Sequence, residues 1–118
     1  MRLKKGLQIS ADFIDCKANL QNPQKIAKTV KNICKENNIT VLKASSFVFS
    51  NNGATILFLL SESHLAIHTW PEKKLVNFDL FVCNYKENNV SKVKNTYKKI
   101  KEFFGAQKVE YKEIVRLT

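Results

Sequence analysis

No run of apolar residues in this chain is long enough to cross a bilayer: the longest, Ala54 to Leu60, falls far short of the roughly 18 residues that a spanning helix needs. The basic start, Met1-Arg2-Leu3-Lys4-Lys5-Gly6, runs into Gln8, Ser10 and Asp12 with neither an apolar h-region nor a small-residue cleavage site. A cytoplasmic protein with no membrane contact is the expectation. Cysteine is scarce as well. Cys16, Cys34 and Cys83 are odd in number and form no CxxC pair, which argues against a disulfide framework and against a zinc site. Arginine is almost missing: Arg2 and Arg116 stand against 18 lysines. Nucleic-acid readers lean on the bidentate arginine fork, so a net charge of +10 built on lysine is a weak nucleic-acid signal. A coding bias toward lysine and the 12 asparagines accounts for it too, and no nucleic-acid partner is expected. There is no linker, low-complexity segment or repeat period.

The composition that remains, 44% hydrophobic and 25% charged, is that of an ordinary globular chain and excludes disorder and collagen-like repeats. With 118 residues a single domain, 1–118, around one core is the expectation. Leu7 to Ile14 alternates apolar with polar residues and reads as a strand with one buried face. Asn22-Pro23 supplies an N-cap and a first-turn proline for a helix whose Ile26, Val30 and Ile33 run to an Asn37-Asn38 stop. Thr40 to Phe49, Thr55 to Leu60, His64 to Thr69 and Val76 to Cys83 read as four strands. Ser50-Asn51-Asn52-Gly53 and Trp70-Pro71-Glu72-Lys73-Lys74 mark turns between them. Val90, Val93, Tyr97, Ile100 and Phe104 then trace a helix stripe that ends at Gly105, and Val109 to Leu117 is a last strand. The order β-α-β-β-β-β-α-β predicts an α+β two-layer sandwich, an antiparallel sheet with both helices packed on one face.

The segment from Leu60 to Glu72 holds both histidines, the only tryptophan and two carboxylates. His64 and His68 would suit zinc on a helix, but on a strand they lie about 13 Å apart, so no metal is expected. Ser63 lacks the G-x-S-x-G elbow of a hydrolase. If Ala54–Leu60 and His64–Thr69 form a hairpin with Glu62 near its tip, opposed residue numbers sum to about 124, and Thr55 lies beside His68 or Thr69. In the next hairpin a sum near 145 puts Cys83 beside Glu62 and Ser63. Ser63 and His68 are five residues apart on an extended strand, about 16 Å. One chain therefore offers two half-sites, Glu62-Ser63-Cys83 and Thr55-His68, and a two-fold dimer could bring one half to the other.

The string Ser61-Glu62-Ser63-His64-Leu65-Ala66-Ile67-His68-Thr69-Trp70-Pro71-Glu72, followed by Asp79-Leu80-Phe81-Val82-Cys83, resembles the signature of the prokaryotic S-adenosylmethionine decarboxylase proenzyme family in residues and spacing. The resemblance implies self-cleavage between Glu62 and Ser63 into a β chain, 1–62, and an α chain, 63–118. By the same resemblance Ser63 would become a covalent pyruvoyl group, the cofactor. His68, and Thr55 at a position where serine is common, would assist this processing from the partner protomer of a homodimer with shared active sites. The pyruvoyl ketone would take the substrate amine as a Schiff base and accept electrons as the carboxylate leaves, with Cys83 returning a proton. Phe49 matches the position that stacks on adenine, and Glu72 the one that binds the ribose hydroxyls. The small-molecule substrate implied is S-adenosylmethionine, and the product is the aminopropyl donor of spermidine synthesis.

Some positions depart from the family pattern. Lys73-Lys74 stands where an aromatic or glycine is common, and Asn84 where glycine is frequent. These flank the presumed pocket and leave two alternatives. One is a homologous pyruvoyl enzyme acting on arginine or ornithine, which needs no adenine slot at Phe49. The other is an unprocessed binding homologue with a basic face for an acidic partner.

Overall fold

The computed structural model describes residues 2–61, 63–84 and 88–118. Alternation builds its sheet. In β1 (Lys5–Cys16) Leu7, Ile9, Ala11 and Phe13 are buried while Gln8, Ser10 and Asp12 between them are not. The same period of two runs through β3 (Ala54–Leu60), β4 (Ser63–Trp70) and β5 (Leu75–Val82). With α1 (Pro23–Glu36), β2 (Val41–Val48), α2 (Val90–Phe104) and β6 (Ala106–Leu117), the elements follow the expected order. The six strands line up as β2-β3-β4-β5-β1-β6, each antiparallel to its neighbour. This is the α+β architecture read from the sequence.

Local chemistry sets the helix ends. The side chain of Asn22 accepts the Lys25 N–H at 3.1 Å, and Pro23 opens α1 where an amide donor is not needed. Gly105 ends α2 at φ 61°, a left-handed conformation that side-chain-bearing residues resist, and its N–H bonds to the Lys101 carbonyl. That cap turns the chain at once into β6, which starts at Ala106 opposite Cys16, three residues before the apolar alternation begins.

The helices lay Ile26, Val30, Ile33, Val93, Ile100 and Phe104 onto the buried face of the sheet. Phe13 is the centre of that layer, with the rings of Phe78, Phe104 and Tyr97 at 5.6–6.0 Å. Burying each such side chain contributes about 1.5–3 kcal/mol. Among the described residues no helix lies on the other face. Leu57 and Leu59 of β3 point there and are 51% and 54% exposed, as is Phe47 of β2 at 64%. Among the described residues no helix is long and apolar enough to cross a membrane.

Candidate active site

The β3–β4 hairpin carries the first group of residues on that uncovered face. Its opposed residues sum to 123, so Thr55 lies directly across from His68. The Thr55 hydroxyl and His68 Nδ1 are 3.0 Å apart, hydrogen-bond distance for either tautomer. Both side chains are half-buried and line a groove of about 450 Å³ together with Phe49, Trp70 and Glu72.

Three walls of this groove are held by bonds that residue patterns did not disclose. Phe49 stands just past β2, edge-on to Phe47 at 5.0 Å. The Trp70 indole N–H donates to Asn77 Oδ1 at 2.7 Å, and Asn77 Nδ2 donates to Asp12 at 2.8 Å, so the ring is anchored through β5 to β1. The Lys73 ammonium lies 5.1 Å from the centre of the same ring, within cation–π range. Glu72 sits in the short 3-10 turn Pro71–Lys73 and accepts from Asn51 Nδ2 at 2.6 Å. Asn51 read as a turn residue in the sequence; its reach to Glu72 has no local signature. Asn77 and Asp12 read only as outward positions of alternating strands, and their partnership depends on the β1–β5 register.

The second group lies at the far end of β4. Ser63 is the first residue of the strand, pairs with Leu60 and Val82, and is half-buried. Its hydroxyl is 3.5 Å from His64 Nδ1, the outer limit of a hydrogen bond. Cys83 follows the last residue of β5, with its carbonyl accepting from Asn89 Nδ2 at 2.8 Å. Glu62, the expected donor of the cleaved carbonyl, lies outside the described residues. Parity divides the two groups as well as distance. Ser63 shares its side of β4 with buried Leu65 and Ile67, whereas His68 shares the other side with Trp70. Within one chain Ser63 and His68 are thus separated by five residues of strand, about 16 Å.

The remaining thiols belong to the core. Cys34 is fully buried on α1, and burial raises its pKa from 9.0 to about 11. Burial, with the Asp15 carboxylate adding to it, raises Cys16 to about 11 as well, and its Sγ donates to the Phe13 carbonyl. Neither is poised as a nucleophile.

A hydroxyl–imidazole pair in a groove with aromatic and carboxylate walls, and a serine and a thiol at the paired ends of two strands, are the arrangement that known relatives can be compared with. The S-adenosylmethionine decarboxylase family model matches residues 7–117. The S-adenosylmethionine decarboxylase proenzyme of Thermosipho africanus is 37% identical over 112 residues, 94% of this chain and 83% of that protein. The proenzyme of the same name from Picrophilus torridus is 34% identical over 89 residues, 75% and 68% of the two chains. The crystal structure of the adenosylmethionine decarboxylase from Aquifex aeolicus superimposes with a TM-score of 0.83 at 27% identity, covering 92% of this chain and 88% of that one. Matched along nearly its whole length in sequence and in fold, the chain belongs to the S-adenosylmethionine decarboxylase family.

Proposed function

We propose that this protein is made as a proenzyme, cleaves itself between Glu62 and Ser63, and decarboxylates S-adenosylmethionine. The observation that carries the reading is the groove. Thr55 and His68 form a 3.0 Å pair inside it, beside an exposed aromatic ring at Phe49 and a carboxylate at Glu72. A nucleoside needs an apolar slot for its base and an acceptor for its ribose hydroxyls. Arginine or ornithine would leave that slot unused.

The residues at the other end fit a pyruvoyl group generated in place. Ser63 offers a hydroxyl beside the peptide bond that joins it to Glu62, and Cys83 directly follows the strand that pairs with β4. In processing, the Ser63 hydroxyl attacks the Glu62 carbonyl and the peptide becomes an ester. Elimination then breaks the ester, releasing 1–62 with a free carboxylate, and uptake of water with loss of ammonia leaves a ketone on residue 63. Once formed, the pyruvoyl group supplies the electron sink for decarboxylation. His68 polarises or deprotonates through Nε2, because Thr55 occupies Nδ1. Phe49 and Glu72 bind the nucleoside, and the Cys83 thiol returns a proton to the substrate α-carbon.

The uncovered sheet face supports a homodimer. Its exposed Phe47, Leu57 and Leu59 are an apolar surface that a second copy buries by two-fold packing of sheet on sheet. The shared-site arrangement further requires Ser63, which lies on the covered side of β4, to turn toward the groove of the mate.

An intact mass spectrum tests the chemistry. The expected result is two chains, 1–62 and 63–118, the second without a free amine, and carbon dioxide released from S-adenosylmethionine. Ser63→Ala should stay a single inactive chain. Cleavage at the same bond in that variant, or turnover by an uncleaved parent, overturns the reading.

A further inference from the structure

We infer that Asn51 is a positioning residue that sets the Glu72 carboxylate for the ribose hydroxyls of the substrate; the inference rests on the reading of Glu72 given above. The turn between β2 and β3 is closed by its own bonds, Phe49 N–H to the Gly53 carbonyl at 2.7 Å and Asn52 N–H to the Phe49 carbonyl at 2.9 Å. Asn52 takes a left-handed φ of 66° within it. Inside this frame the Asn51 side chain bonds in two directions. Its Oδ1 accepts the Gly53 N–H at 2.9 Å, which fixes which end of the amide is oxygen. Its Nδ2 is then left facing outward, and donates to Glu72 Oε2 at 2.6 Å. The turn also comes close to β4 here: a Cβ on Gly53 would lie 3.0 Å from the Thr69 carbonyl oxygen.

The consequence is a tie between two walls of one groove. Phe49 and Glu72 come from loops 23 positions apart in the chain, and Asn51 fastens the turn that carries the ring to the carboxylate across from it. Glu72 is exposed and belongs to a three-residue turn, so without the amide its side chain is a mobile rotor. With Oε2 held by a charge-assisted bond, Oε1 is left to accept from a sugar hydroxyl. Holding such a side chain before the ligand arrives removes part of the ordering cost of binding, an effect of about 3- to 10-fold in affinity.

The experiment is a double-mutant cycle read by calorimetric binding of 5′-methylthioadenosine, which keeps the base and ribose of the substrate and asks nothing of the pyruvoyl group. Asn51→Ala should weaken binding about fivefold. Asn51→Asp keeps the acceptor for Gly53 and with it the turn, but sets a second carboxylate against Glu72, and should weaken binding about tenfold or more. In a Glu72→Gln background both losses should shrink below about twofold, because residues acting through one contact are not additive. In turnover the same variants should raise KM more than they lower kcat. Thermal midpoints within a few degrees of the parent show that each variant is folded. If Asn51→Asp binds like the parent, or if the losses persist undiminished with Gln at position 72, the inference fails while the reading of Glu72 stands. If Glu72→Gln itself binds as tightly as the parent, the reading of Glu72 fails and takes the inference with it.

Discussion

The two ends of β4 differ in how much of their chemistry is finished. At the Trp70 end, hydroxyl meets imidazole at 3.0 Å, an indole is anchored through Asn77 to Asp12, and a carboxylate is tied to Asn51. At the Ser63 end a hydroxyl sits 3.5 Å from the neighbouring imidazole, and the thiol of Cys83 lies just beyond the strand. One end is a binding groove already shaped; the other holds reactive side chains beside a hairpin connection. Under the function proposed above, the difference divides catalysis between recognition and bond-making, with some 16 Å of extended strand between them. Every direct test is therefore a test of whether the two ends can be separated and rejoined.

The largest effect is expected from removing the bond-making end alone. Cys83→Ala should still be cleaved into two chains, yet lose turnover by roughly 10²–10⁴-fold, the usual worth of a positioned general acid. Substrate affinity, set at the far end, should change little. Comparing kcat with the dissociation constant of 5′-methylthioadenosine measures the separation, and a Cys83→Ala enzyme with normal kcat would remove the thiol from the proton-donor role.

Rejoining the ends in trans gives a smaller but sharper signal. Ser63→Ala and His68→Ala are each expected to be inactive, one lacking the group to be converted and the other its helper. When the two are co-expressed at equal levels, half of the dimers are mixed and each mixed dimer has one intact site of two, so about one site in four should process. The cleaved fraction by mass spectrometry reads this directly. Mixed dimers that show no cleavage would mean that Ser63 and His68 of one chain meet by bending β4, and the division described above would be wrong.

How far the sequence discloses this arrangement follows from the range of each force. Alternation and capping are local, so the strands, both helices and the Gly105 stop are visible in the residues themselves, and counting the hairpin puts Thr55 beside His68 or Thr69, of which the fold selects His68. The start of β6 at Ala106 is not, because Ala106, Gln107 and Lys108 carry no apolar alternation and are strand only by pairing with β1. The residues that support the groove are hidden for the same reason. Asn51 reaches Glu72 across 21 positions and Asn77 reaches Asp12 across 65, contacts that only a finished sheet creates. Polar residues on an open strand or turn look alike until the fold supplies their partners.

The smallest expected effect comes from the thiols of the core, which take no part at either end of β4. Cys34 is fully buried and its pKa stands at about 11 against 9.0, held up by burial; Cys16 is raised in the same sense by burial and by Asp15. A thiol whose folded value is raised favours the fold while it stays protonated. Its contribution is complete below the unfolded value near 9 and is lost as pH rises through about 11. At two units this amounts to roughly 3 kcal/mol for Cys34. The guanidinium midpoint should therefore be flat up to about pH 8.5 and fall between pH 9 and 11. Cys34→Ala lowers the midpoint everywhere by leaving a small cavity, but it should make the alkaline fall shallower, leaving the part that belongs to Cys16. An alkaline fall of the same depth in Cys34→Ala would mean that burial does not hold this proton, and the place of Cys34 in the sealed core would be wrong.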